Sequence, residues 1–304
     1  MLALVAPGQG AQTPGMLTPW IEDSSAKNLL IEWSAAIDLD LVRLGTTADA
    51  EEIKDTANAQ PLIVAAGLLG ARALSKENSF SFVAGHSVGE ITAAALAGVI
   101  SEIDAMKLVR ARGIEMAKAA AVSPAGMAAV LGGDREVVLR AIADLGLVAA
   151  NDNGGGQIVA AGDLEALAKL APEGARVRAL AVAGAFHTSY MEPAVAPLRA
   201  LAASLAAQDP KCGVISNKDG AVIRDGREVL DRIVAQISNP VRWDLCMTTL
   251  SENVSGALEV PPAGTLVGLL KRAVPIVETF ALKSVADITL ADEFALRHNQ
   301  EVES

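Results

Sequence analysis

With 304 residues, 51% of them hydrophobic and 20% charged, the chain suits one large α/β domain or two smaller units, and it is too apolar to be disordered. A formal net charge of -11 argues against nucleic acid as a partner, since phosphate binding needs a basic surface, and gives no attraction to an anionic membrane. The two cysteines, Cys212 and Cys246, have no Cys or His at ligand spacing, so no metal is expected and both read as free, buried thiols of a reducing compartment.

In chain order, "MLALVAP" reads as a buried strand stopped by the turn "PGQGAQ". It carries no basic segment, so no signal peptide is expected. "AQPLIVAAGLLGARAL" is apolar nearly all round and reads as a buried helix. The longest apolar stretches, "PLIVAAGLLGA" and "ITAAALAGVI", are too short to span a bilayer, which with the thiols points to the cytoplasm. "FSFVAG" is a second strand, "GEITAAALAGVI" a helix with Glu90 in its first turn, and "SEIDAMKLVRARGIEMAKAA" another helix with Ser101 as N-cap. This strand–helix alternation predicts an α/β fold with a mostly parallel sheet.

The middle changes character. "GMAAVLGG", "LVAAND", "QIVAAG" and "ARVRALAVAG" read as strands, with helices "DREVVLRAIADLG" and "DLEALAKLA" between them. The order βαββαβ is that of a ferredoxin-like unit. It is expected over 126–184, inserted into a larger domain formed by 1–125 and 185–304. The chain then returns to helix ("YMEPAVAPLRALAASLAA"), strand ("CGVISN") and helix ("GREVLDRIVAQIS"). The last apolar elements are "GALEVPPAGTLVGLLKRA" and "PIVETFAL". From Asp287 the tail is charged and weakly periodic and reads as a frayed terminus.

Chemistry centres on "AGHSVGEI". Gly-x-Ser-x-Gly alone is weak, arising by chance in roughly one chain in ten of this length. Here it stands between a strand and a helix. That context forces a sharp turn, exposes the serine hydroxyl and aims the next backbone N–H at a reacting carbonyl. Ser87 therefore reads as a nucleophile. It needs a base, and there are only three histidines. His86 adjoins the serine and points elsewhere on the turn, and His298 lies in the charged tail. His187, after the last strand of the inserted unit, is left.

Arg112 falls mid-stripe on the apolar face of its helix, with Ala105, Leu108, Val109 and Met116, while Arg110 points away. An inward arginine needs a partner. Either it makes an internal salt bridge, or its fork waits for a substrate carboxylate.

The segments "APGQGAQTPGM", "AQPLIVAA", "GHSVGE", "RARGIEMAKA", "GMAAVLGG", "NGGGQIVAAG", "GAFHTSYM", "NPVRW" and "GTLVGLLKR", in this order, resemble bacterial malonyl-CoA:acyl carrier protein transacylases of the type II fatty-acid synthase. The detail is similar to actinobacterial members. The resemblance implies an α/β-hydrolase-like core with the ferredoxin-like insert. It implies a serine-linked malonyl enzyme in ping-pong transfer from coenzyme A to the carrier's pantetheine thiol, with no cofactor beyond the thioester substrate. Ser87 would carry the acyl group and His187 would be base, held by the backbone carbonyl of Gln236 rather than by a carboxylate. The N–H groups of Gln9 and Val88 would form the oxyanion hole, and Arg112 would bind the malonyl carboxylate. Asn153 would line the cleft. Phe186, in "GAFH", would crowd an α-methyl branch and favour malonyl over methylmalonyl. The sequence departs from many members at "EVPPAGTL", where a Gly-Pro-Gly turn is common.

Two other classes compete. A thioesterase or esterase could use the same elbow, but the "HGGG" of many such enzymes does not occur. A non-catalytic scaffold would be expected to lose Ser87, His187, Gln9 or Arg112, and all four are present. Carrier proteins are usually acidic, as is this chain, so docking calls for a local basic patch. Arg176, Arg178, Lys271 and Arg272 are candidates, and Lys271 and Arg272 are the pair expected to contribute.

Overall fold

The apolar run after Met1 becomes an inner strand of the larger of two sheets. The structure, a computed structural model, describes residues 1–300. Its strands are β1 (Leu2–Ala6), β2 (Phe82–Gly85), β3 (Ala125–Gly132), β4 (Val148–Asp152), β5 (Gln157–Asp163), β6 (Ala175–Ala179), β7 (Gly213–Ile215), β8 (Val222–Ile223), β9 (Val241–Arg242), β10 (Gly256–Glu259) and β11 (Glu278–Ala281). Its helices are α1 (Ser24–Ile37), α2 (Leu41–Thr46), α3 (Thr56–Ala73), α4 (Gly89–Leu96), α5 (Glu102–Ala120), α6 (Arg135–Asp144), α7 (Leu164–Lys169), α8 (Glu192–Ser204), α9 (Gly226–Ala235), α10 (Trp243–Asn253), α11 (Thr265–Ala273) and α12 (Ile288–Gln300).

The larger sheet has the order β11-β10-β1-β2-β7-β8. Every pairing is parallel except β7 with β8. Both faces are covered: Leu2, Leu4 and Val83 point into one apolar cluster, Ala3, Val5 and Ala84 into another. That explains why β1 and β2 read as unbroken apolar runs rather than alternating ones. Asp55 caps α3, accepting from the N–H of Ala57. Ser101 caps α5 by accepting from the N–H of Asp104 at 3.1 Å.

The second sheet has the order β6-β3-β5-β4-β9. Its first four strands follow the βαββαβ path and pair antiparallel throughout. The fifth, β9, comes from outside 126–184 and joins parallel to β4. The two sheets thus form one mixed α/β architecture.

Several sequence expectations need correction. The segment after Asp287 is not frayed over its described length. It forms α12, which buries Ala291, Phe294 and Ala295 against the larger sheet's core. Its charges lie on the outer face; residues 301–304 lie outside those described. His298 is accordingly buried, its Nδ1 2.9 Å from the Oγ of Ser255. The strand read over "ARVRALAVAG" ends at Ala179, and the chain beyond it turns toward the cleft described below. Cys246 is buried, but Cys212 only partly, and both thiols are free. Three helices, α1, α2 and α10, fall where the sequence reading assigns none. No helix among the described residues is long and apolar enough to cross a membrane.

Candidate active site

Ser87 sits in the turn between β2 and α4 with φ +53°, a left-handed value that costs a residue with a Cβ of order 1–3 kcal/mol. The glycines on either side are required by space rather than by dihedral. A Cβ on Gly85 would run into the backbone of Gly89, and one on Gly89 into the carbonyl of Ala6. The turn is pinned from behind by Asn217, whose Oδ1 accepts from the N–H of Ser87 at 2.8 Å and whose Nδ2 donates to the carbonyl of Gly85 at 2.7 Å.

His187, with φ +62°, comes from the loop between β6 and α8. Its Nδ1 lies 2.8 Å from the carbonyl oxygen of Gln236. A carbonyl can only accept, so Nδ1 carries the proton and Nε2 presents its lone pair. That lone pair faces the hydroxyl of Ser87, 2.8 Å away. Burial first, and the nearby charge of Arg112 second, push His187 down to about 3. It is neutral at any ordinary pH.

Arg112 is 1% exposed. Its Nη1 donates to Oε1 of Gln60 at 2.8 Å, and its Nη2 to Oε1 of Gln236 at 3.0 Å and to Oγ of Ser87 at 3.3 Å. Its Nε is buried without a partner. Burial lowers it to about 10, so it stays cationic at neutral pH. Of the two sequence alternatives, a direct internal salt bridge is not found among the described residues, where the hydrogen-bond partners of Arg112 are two amides and a hydroxyl. Arg110 points elsewhere, donating to the carbonyl of Ala57 at 2.8 Å.

Ser87 and His187 open onto a cleft of about 350 Å³, also lined by Gln9, Asn153, Phe186 and Leu266. The cleft lies between the two sheets, at the carboxyl ends of β1 and β2. The N–H groups of Gln9 and Val88 make no backbone hydrogen bond among the described residues. Asn153 is fixed by Nε2 of His86, 2.8 Å from its Oδ1. Among the described residues no three His, Cys, Asp or Glu side chains gather as metal ligands. Lys271 and Arg272 are exposed in the last turn of α11, whose first turn lines the cleft, and Arg176 and Arg178 are exposed on β6.

Three buried polar residues at the site were not singled out from sequence: Gln60, Asn217 and Glu90. Gln60 and Asn217 occupy apolar contexts, "NAQPLIV" and "GVISN", where an amide needs a buried partner. That is the signal that marks them. Glu90 looks like an ordinary acidic residue favouring a helix N-terminus.

Comparison with known proteins places this geometry in context. A family model described as an acyl transferase domain matches residues 3–292. A malonyl CoA-acyl carrier protein transacylase of Mycobacterium bovis is 54% identical over 303 residues, spanning 97% of this chain and 99% of that one. The protein of the same name from Bacillus subtilis is 34% identical over 305 residues, spanning 95% and 96%. The crystal structure of MCAT from Mycobacterium tuberculosis superposes with a TM-score of 0.92 at 54% identity, covering 97% of this chain and 99% of that one. A malonyl-transacylase solved with its type II polyketide acyl-carrier protein gives 0.90 at 31% identity, covering 96% and 99%.

Proposed function

The chain belongs to the acyl transferase domain family, and we propose that it moves a malonyl group from coenzyme A to the pantetheine thiol of an acyl carrier protein, in fatty-acid synthesis. The observation that carries this reading is one line of contacts. Gln236 carbonyl, His187 ring and Ser87 hydroxyl are joined by two 2.8 Å hydrogen bonds, with the guanidinium of Arg112 beside the hydroxyl.

The steps follow from that geometry. Oγ of Ser87 attacks the thioester carbonyl as its proton passes to Nε2 of His187. The carbonyl oxygen, now an anion, is held by the N–H groups of Gln9 and Val88. The C–S bond breaks, His187 returns the proton to the leaving coenzyme A thiol, and malonyl stays on Ser87 as an ester. The carrier's thiol then enters, gives its proton to His187 and attacks the ester. Collapse returns the proton to Ser87.

Arg112 binds the distal malonyl carboxylate through donors that, among the described residues, no carboxylate occupies. The same charge depresses His187. A bound carboxylate offsets it, so a malonyl substrate raises the basicity of its own catalyst, which an acetyl group cannot do. Phe186 crowds the position of an α-methyl branch, and Asn153 lines the cleft beside it.

We read residues 1–125 and 185–304 as an α/β-hydrolase-like domain and 126–184 as its ferredoxin-like insert. The enzyme needs no cofactor beyond its thioester substrate and works in the cytoplasm. Ester hydrolysis fits less well, because the partner of His187 is a carbonyl rather than a carboxylate and a cation flanks the nucleophile. The test is transfer itself. Wild-type protein with malonyl-CoA and a holo carrier protein should yield malonyl-carrier, and Ser87→Ala should yield none. Release of coenzyme A without malonyl-carrier would overturn the reading.

A further inference from the structure

Glu90 is 2% exposed, in the first turn of α4, and does not line the cleft. Both of its oxygens accept hydrogen bonds. Oε1 takes the backbone N–H of Asn217 at 2.7 Å, and Oε2 takes Nε2 of Gln236 at 2.6 Å. The other end of the Gln236 amide, Oε1, faces Nη2 of Arg112 at 3.0 Å. Carboxylate, amide and guanidinium are linked in a chain through Gln236, whose Nε2 also donates to Oδ1 of Asn217 at 3.0 Å and to the carbonyl of Ser87 at 3.2 Å, the contact with Glu90 being the shortest and the one to a charged acceptor; Arg112 ends the chain beside Ser87.

We propose that Glu90 is a positioning residue for Arg112. By holding Nε2 of Gln236, it turns the amide oxygen toward the guanidinium and keeps that cation set for the carboxylate of the incoming acyl group. The proposal deepens the malonyl-transfer reading and rests on it.

The polarity of the chain is what requires an acid here. A glutamine at position 90 has one acceptor for two donors, so one of its contacts becomes N–H against N–H. Relief by turning the Gln236 amide would aim its NH₂ at Arg112. The charge arrangement argues the same way. A buried guanidinium needs compensation, yet a carboxylate in direct contact would occupy the donors that substrate must use. Compensation one amide away leaves those donors with neutral acceptors only, which a substrate carboxylate can displace.

Burial pushes Glu90 up to about 7. The charged and titratable groups facing it are Arg112 of α5 and Arg232 of α9, which lower it, and the Cys246 thiol of α10, whose own ionisation Glu90 opposes. Arg232 is itself paired with Asp219 and Glu228. His187 stays neutral throughout this range. The hold on Arg112 therefore weakens as Glu90 takes up a proton.

The experiment measures Ser87 acylation by malonyl-CoA and by acetyl-CoA in wild type, Glu90→Gln, Arg112→Ala and the double variant. Glu90→Gln should lower the malonyl-to-acetyl ratio of kcat/KM by about tenfold, with KM for malonyl-CoA rising more than that for acetyl-CoA. It should add nothing in the Arg112→Ala background. The wild-type ratio should also fall from about pH 8 to about pH 6, a measurement that serves if Glu90→Gln does not fold. Equal losses for both thioesters, a further loss without Arg112, or a wild-type ratio flat with pH would overturn the proposal. A wild type that takes up acetyl but not malonyl would remove the transfer reading and this inference with it. A wild type that prefers malonyl, with Glu90→Gln keeping that preference, removes the inference alone.

Discussion

Nη2 of Arg112 stands 3.3 Å from Oγ of Ser87, so the cation proposed to select the acyl group and the oxygen proposed to receive it share one hydrogen bond. Selection and chemistry are then inseparable at this site. Replacing Arg112 with Ala should cut malonyl loading on the order of 10²-fold, about 3 kcal/mol of transition-state binding, and acetyl loading much less. Stopped-time acylation assays with the two thioesters check this. Equal losses would mean that Arg112 only holds the core together.

The depressed basicity of His187 sets a pH profile. Its folded value, about 3, lies below the ordinary 6.5, so it remains an unprotonated base far into acid. Acetyl-CoA loading, which does not use the carboxylate site, should show no acid limb near 6.5 between about pH 8 and pH 5. In Arg112→Ala the limb should move upward, because one of its two main causes is gone. A wild-type limb at 6.5 would contradict the arrangement.

Stability carries the mark of Glu90. Its folded value, about 7, is raised from 4.5, so its contribution is fully present below 4.5 and is lost as pH rises through 7. The shift corresponds to roughly 3 kcal/mol. His187 runs the other way, with stability lost as pH falls from 6.5 toward 3. Relative to wild type, Glu90→Gln should therefore gain stability by up to about 3 kcal/mol between pH 4.5 and pH 8. Denaturant unfolding at the two ends of that range measures it, and a pH-independent difference would show that Glu90 does not titrate there.

Carrier docking is proposed to involve the end of α11, whose first turn lines the cleft and whose last turn exposes Lys271 and Arg272. Reversing both to Glu should raise KM for the carrier protein and leave malonyl-CoA loading unchanged. Carrier kinetics identical to wild type would remove this surface from the account.

Much of the fold was legible because its core strands are covered on both faces and read as plain apolar runs. The two-residue strand β9 carries no such signal, and it joins the second sheet beside β4 from 241–242. The segment that forms α12 was misread because its exposed face is charged, while Ala291, Phe294 and Ala295 are too few to set a clear period. At the site, Ser87 stood out by its strand–turn–helix context and His187 by elimination. The second layer was not legible: Glu90 differs from a solvent-facing N-terminal glutamate only by what packs over it. Asn217, 130 residues from the serine it pins, has no local pattern at all. Such residues are found by asking where a buried polar group finds its partner, which needs the fold.

The most direct test of the central claim is the intact mass of the protein after brief exposure to malonyl-CoA, beside Ser87→Ala. The expected result is one added malonyl group on the wild type and none on the variant. An adduct that persists in Ser87→Ala, or coenzyme A release with no adduct on the wild type, would contradict it.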